Sequence, residues 1–174
     1  METATLAGGC FWCTEAVFNR LKGVDSVISG FTGGTIDNPS SDEVYSGRTG
    51  HAEAIQVTFN PQIISYGKIL EVFFKTHDPT SLNRQGADVG SQYRSAVFYH
   101  DAIQEKTAKE IKEKITADLT GPVVTEIVPF GKFFPAESYH QDFYGRNRQA
   151  PYCRLVIDPK IIKLERSFPE EIVK

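Results

Sequence analysis

Residues 8–15 read Gly-Gly-Cys-Phe-Trp-Cys-Thr-Glu. Two thiols, Cys10 and Cys13, stand two residues apart around a pair of large rings. Such a pair can be a redox disulfide, half of a metal site, or one reactive cysteine beside a bystander. The diglycine ends a short apolar run and opens a helical pattern, which sets Cys10 at a helix N-terminus. Free amides and the helix dipole there favour an anion, so the expectation is a lowered thiol pKa and a usable thiolate. Glycine just before the sulfur lets another molecule approach closely.

Three chemistries compete for that nucleophile. A thioredoxin-like oxidoreductase places a strand, a helix and a strand before its Cys-x-x-Cys, and nine residues leave no room for them. A zinc site needs more ligands than Cys153 and the singly scattered His51, His77, His100 and His140 provide. The third is a cysteine that takes up an oxygen atom and becomes a sulfenic acid.

The positioning elements follow from periodicity. Thr3 to Ala7 reads as a strand. A helix from Cys10 carries Cys13, Val17 and Leu21 on one stripe and stops at Gly23. Val24 to Gly33 is a glycine-rich strand, and Ala54 to Phe59 alternates Ile55, Val57 and Phe59 on one face. A helix with Tyr66, Ile69, Leu70, Phe73 and Phe74 follows, then a strand at Ala96 to Tyr99. Asp101 caps a helix bearing Ala108, Ile111 and Ile115, with Gln104 at the capping-box position. Val123 to Val128 is a further strand. A short helix near Ser138 to Arg146 and a strand at Leu155 to Ile157 complete the expectation, and the tail after Arg154 reads as partly helical.

This order predicts an α+β fold: a two-layer sandwich with a mixed sheet on a split βαβ, ferredoxin-like core, and a long irregular C-terminal segment. No repeat or linker divides residues 1–174, so a single domain is expected. Two segments carry no period. Thr76 to Arg94 is long for a structureless loop and rich in hydrogen-bonding side chains. Phe130 to Tyr152 holds seven of the twenty aromatic residues, as a loop packing its own rings or as a pocket wall.

Composition narrows the function. Net charge is −3 with no dense Lys/Arg block, which argues against a nucleic-acid partner. No run nears the ~18 apolar residues of a membrane span. The first seven residues lack a basic and apolar leader pattern. The expectation is a cytoplasmic protein, and a monomer, because no spare apolar stripe asks for a partner. Three cysteines make no disulfide framework in a chain of this length.

Four motifs in order then resemble one family: Gly9-Cys10-Phe11-Trp12; Thr49-Gly50-His51-Ala52-Glu53; Gln85-Gly86-Ala87-Asp88 with Gln92-Tyr93-Arg94-Ser95; and Tyr139-His140-Gln141. The chain resembles the A-class peptide methionine sulfoxide reductases from about Thr3 to Asp158. That resemblance implies reduction of methionine S-sulfoxide, free or in oxidised proteins, with no metal or organic cofactor. Cys10 would attack the sulfoxide and be left as a sulfenic acid, recycled through a disulfide by thioredoxin or a similar dithiol. Glu53 matches the proton donor, and burial would have to keep it protonated; without the family it also reads as a solvated strand-edge residue. Phe11 and Trp12 would cage the substrate methyl group, with core packing as the plainer role. Asp88 and Tyr93 would bind the sulfoxide end, and His140 and Tyr139 would line the same basin.

Two departures stand out. Ser41 occupies a position that is often tyrosine in the family, and Tyr45 one that is often cysteine. Cys153 lines up with a recycling cysteine and is the first choice as resolving thiol. Cys13 and an external thiol are the alternatives. Rival classes, a binding module without turnover or a thiol peroxidase, would fail to form methionine from a sulfoxide.

Overall fold

The computed structural model describes residues 1–173. Six strands form one sheet: β1 (Glu2–Gly8), β2 (Val24–Thr32), β3 (Ala52–Phe59), β6 (Ser95–Tyr99), β7 (Glu126–Pro129) and β8 (Phe133–Pro135), in the order β7-β6-β1-β3-β2-β8. β3 lies antiparallel between β1 and β2, and β1 lies antiparallel between β3 and β6. Two split βαβ units are thereby interleaved around α1 (Phe11–Phe18) and α3 (Tyr66–Thr76). β7 joins in parallel, which makes the sheet mixed as expected.

Alternation along the strands sorts residues to two faces. Leu6, Ile55, Val57, Phe59 and Val97 enter the main core, with α1, α3 and the C-terminal helix α6 (Asp158–Ser167) packed against one another over them. Ala7, Ala54, Ala96 and Phe98 enter a smaller cluster on the other face, covered by Phe130 and Phe133. β3 begins two residues earlier than the sequence suggested, and its odd-numbered positions face the main core. Glu53 therefore points inward with Ile55 rather than lying on a solvated edge.

Several expectations are corrected. Leu155 to Ile157 is no strand. It belongs to a π turn (Cys153–Ile157) that runs into α6. Cys153, Ile157, Ile161 and Leu164 are buried at helical spacing while Leu155 is 77% exposed, a stripe of period near four that the three apolar letters concealed. The strand expected from Val123 starts only at Glu126, because Val124 instead donates its N–H to the Pro79 carbonyl. The helix expected over Ser138 to Arg146 is broken at Asp142 (φ 49°) into a 3₁₀ turn (Ser138–His140) and α5 (Phe143–Arg146). The helix after Cys10 ends at Phe18, and Leu21 pairs with Ile172.

Besides β8, further short elements go beyond the sequence expectation. α2 (Ser41–Tyr45) is closed by a full capping box between Ser40 and Glu43. β4 (Arg84–Gln85) and β5 (Asp88–Val89) form a hairpin inside the long loop. A fourth helix, α4 (Ala102–Asp118), has the expected Asp101 cap. No helix among the described residues is long and apolar enough to cross a membrane.

Candidate active site

Cys10 is the N-cap of α1, reached from β1 through Gly9. Gly9 has φ +91°, and a Cβ there would meet Gln85 Cγ at 2.5 Å, so both backbone and space require glycine. Gln85 is held in place by its own amide: Oε1 accepts from Asp78 N and Nε2 donates to Asp78 O, both at 2.8 Å. The long loop is thus clasped onto the strand–helix junction that carries the thiol.

The first free amide of α1 does not serve sulfur. Phe11 N donates to Glu53 Oε1 at 3.1 Å. Glu53 is 2% exposed, and burial pushes its carboxyl up to about 8 despite that hydrogen bond, with Asp88 and Cys13 adding in the same direction. It is therefore a neutral acid at pH 7.

The thiolate expectation at Cys10 needs correction. Burial, a hydrogen bond with Cys13 and the neighbouring Glu53 push the Cys10 thiol well above the usual cysteine range. Cys13 moves the other way, lowered chiefly by the hydrogen bond from Cys10 and also by Lys160. The helix end is already occupied by a carboxyl, so Cys13 rather than Cys10 is the readier of the two thiols to give up its proton. The two sulfurs and Asp88 line a cleft of about 340 Å³ with Tyr152, Leu155 and Lys160. Cys153 does not line it. Its side chain is fully buried and its thiol is raised by burial, with Asp158 and Cys13 contributing.

On the other flank of Cys10 stand two phenols. Tyr93 ends a 3₁₀ turn (Ser91–Tyr93), tied to the start of β3 by Arg94, whose Nη1 and Nη2 donate to Ser91 O and Gly50 O, both at 2.9 Å. Tyr45 lies at the end of α2 and is 41% exposed. Both hydroxyls are raised chiefly by partial burial, so both are donors at neutral pH.

Ser41, the departure from the usual tyrosine, does not face this pair. It is buried in a one-way chain of hydrogen bonds. Trp12 Nε1 donates to His140 Nδ1 (3.1 Å), which leaves the His140 proton on Nε2 to be given to Ser41 Oγ (2.8 Å). Ser41 Oγ then donates to Glu137 Oε2 at 2.5 Å, an oxygen that also accepts from Tyr139. Burial lowers His140 and keeps it neutral, as this chain requires. Trp12 is half-buried, stacked on Phe143 at 3.6 Å with an interplanar angle of 6°. Phe11 is 1% exposed, against Phe31 and His140, so it packs beneath the site.

His51 fixes the approach to α2, accepting from Gly34 N on Nδ1 and donating from Nε2 to Ile36 O. Sequence reasoning did not single out Tyr152, and it noted Tyr45 only as a departure from the family's usual cysteine. Position next to Cys153 was the available signal for the first. Helical spacing of four from the buried Ser41 was the signal for the second. Among the described residues no three His, Cys, Asp or Glu side chains converge as metal donors.

A buried, protonated carboxyl beside a cysteine at the head of a helix defines an oxidoreductase site of the thiol type. The sequence model of the peptide methionine sulfoxide reductases matches residues 2–172, and the chain belongs to that family, in its A class. It is 55% identical to the peptide methionine sulfoxide reductase MsrA of Sulfolobus acidocaldarius, over 98% of this chain and 97% of that one. Reduced Mxr1 of Saccharomyces cerevisiae superposes with a TM-score of 0.81 at 34% identity, covering 87% of this chain and 88% of the other. Mxr1 in complex with Trx2 gives a TM-score of 0.56 at 26% identity, covering 82% and 84%.

Proposed function

We propose that the chain reduces the S-epimer of methionine sulfoxide, free or in a protein, in two stages that share Cys10. In the first, the Cys10 proton passes to Cys13 as the Cys10 sulfur attacks the sulfoxide sulfur. Glu53 gives its proton to the sulfoxide oxygen, and Tyr45 and Tyr93 donate hydrogen bonds to it. The oxygen ends on Cys10, so that thiol plus sulfoxide become sulfenic acid plus methionine. Trp12 supplies the apolar wall for the substrate methyl group, and Phe11 supports it from below.

In the second stage Cys13 attacks Cys10, water leaves, and a dithiol protein reduces the disulfide. Cys13 replaces Cys153 as the resolving thiol in this reading, because it lines the same cleft as Cys10, two residues away, whereas Cys153 is buried and does not line it. Thioredoxin is the proposed dithiol, supported by the Mxr1 relative captured with Trx2.

The observation that carries the reading is Glu53, a buried acid near pKa 8 held against the nucleophile's own helix. The test supplies separated S- and R-epimers of a methionine sulfoxide peptide with dithiothreitol and measures methionine. Product from the S-epimer alone is expected. Product from neither epimer, or from both equally, would overturn the proposal.

A further inference from the structure

Tyr152 enters the π turn one residue before Cys153, and its hydroxyl stands between two groups. Cys13 Sγ is 3.5 Å away and Asp88 Oδ2 is 3.0 Å away. A tyrosine hydroxyl has one hydrogen to give. It goes to Asp88, so once Cys13 holds the proton taken from Cys10 in the first stage, the contact with sulfur runs the other way, the Cys13 thiol donating to the phenolic oxygen. The two donors are in series, S–H to O–H to carboxylate, and both point away from the sulfur. Asp88 sits at the start of β5, half-buried, and lines the same cleft as both thiols, from which solvent reaches it. The ring of Tyr152 is held edge-on to Trp12 at 5.7 Å and 79°, which limits its swing.

We propose that Tyr152 and Asp88 are the acid–base pair of the recycling stage, carrying the Cys13 proton away as Cys13 attacks the Cys10 sulfenic acid. In that step the S–S bond forms and the S–O bond of Cys10 breaks. The oxygen leaves as water after taking one proton from solvent. The Cys13 proton moves to the Tyr152 oxygen while the Tyr152 proton moves to Asp88, and solvent then removes it. The net change is sulfenic acid plus thiol to disulfide plus water, with no added oxidant. The inference rests on Cys13 as the resolving thiol.

Single-turnover experiments separate the two stages, with methionine release read by quenching and disulfide formation read by non-reducing peptide mapping. Tyr152→Phe is expected to slow disulfide formation roughly 10²-fold, the usual contribution of a positioned acid–base group, while methionine release slows far less. The rise of the disulfide step with pH should move to higher pH. Asp88→Asn, in a partly exposed hairpin, should slow disulfide formation from pre-formed sulfenic acid by a similar factor, and in that step the double variant should be no slower than the slower single. Equal slowing of both stages, an unmoved pH profile or additive losses would overturn the wire. A mapped Cys10–Cys153 disulfide would instead overturn the choice of resolving thiol, and the wire with it.

Discussion

Two neighbourhoods meet at the Cys10 sulfur, and they are built on opposite principles. On one flank Glu53 is sealed under the sheet, 2% exposed, and kept neutral by that burial. On the other, Cys13, Tyr152 and Asp88 line an open cleft in which polar groups are joined in series. The first flank stores a proton for one use per turnover. The second, under the proposal above, would let a proton leave and give a protein-sized reductant room to reach a Cys10–Cys13 disulfide. A single wall of either kind could not do both, since a group dry enough to hold its proton at pH 7 cannot readily pass it to solvent.

Removing the shared atom breaks both flanks at once. Cys10→Ser should abolish methionine formation with any reductant, and residual product in a chemical assay would move the nucleophile elsewhere. Next in size, Cys13→Ser should yield one methionine per chain and then stall with thioredoxin, while Cys153→Ser keeps cycling. The reverse result would return the resolving role to Cys153.

The sealed flank alone is probed by pH. The first-stage rate should fall as pH rises through about 8, where Glu53 loses its proton. Glu53→Gln should lower that rate roughly 10²-fold or more and erase the inflection. Stability should move oppositely. A carboxyl raised from about 4.3 unfolded stabilises the fold below that value and loses this progressively as pH climbs through about 8. The amide has no such loss, so the variant should melt higher than the parent at alkaline pH. A parallel decline in both would show that Glu53 is not the buried acid.

Smaller effects should come from the supports. Tyr45→Phe is expected to slow methionine release about tenfold, since one of two oxyanion donors is lost; an unchanged rate would leave Tyr93 and Glu53 as the donors. Ser41→Ala leaves His140 and Glu137 without their shared partner in a buried position and should lower stability by about 1–3 kcal/mol in denaturant melts. Its effect on the second stage should be negligible, because the chain it breaks runs behind Trp12 and not through the cleft.

Much of this was legible in sequence where local pattern and spatial neighbourhood coincide. The alternation of Ile55, Val57 and Phe59, the Asp101 cap and the glycine before Cys10 each depend on a few adjacent residues. The fate of the helix-terminal amide did not. Nothing near Cys10 in sequence shows that Glu53, brought by β3, would occupy the Phe11 N–H and deny it to the thiol. Nor did the letters Leu-Val-Ile at 155–157 reveal helix, because the deciding stripe begins at Cys153 and ends at Leu164. Ser41 read as a departure from the family's tyrosine and proved to be a packing partner, since its contacts come from residues almost a hundred positions away.

Trp12 is the only tryptophan in the chain, and it is stacked on Phe143 with His140 and Tyr152 around it, two residues from the nucleophile. All indole emission therefore originates at this one spot. Each change of charge or bonding at the neighbouring sulfurs alters the field on that chromophore, so the molecule carries its own optical gauge of oxidation state. Stopped-flow fluorescence can follow substrate entry, sulfenic acid formation and disulfide closure without a label.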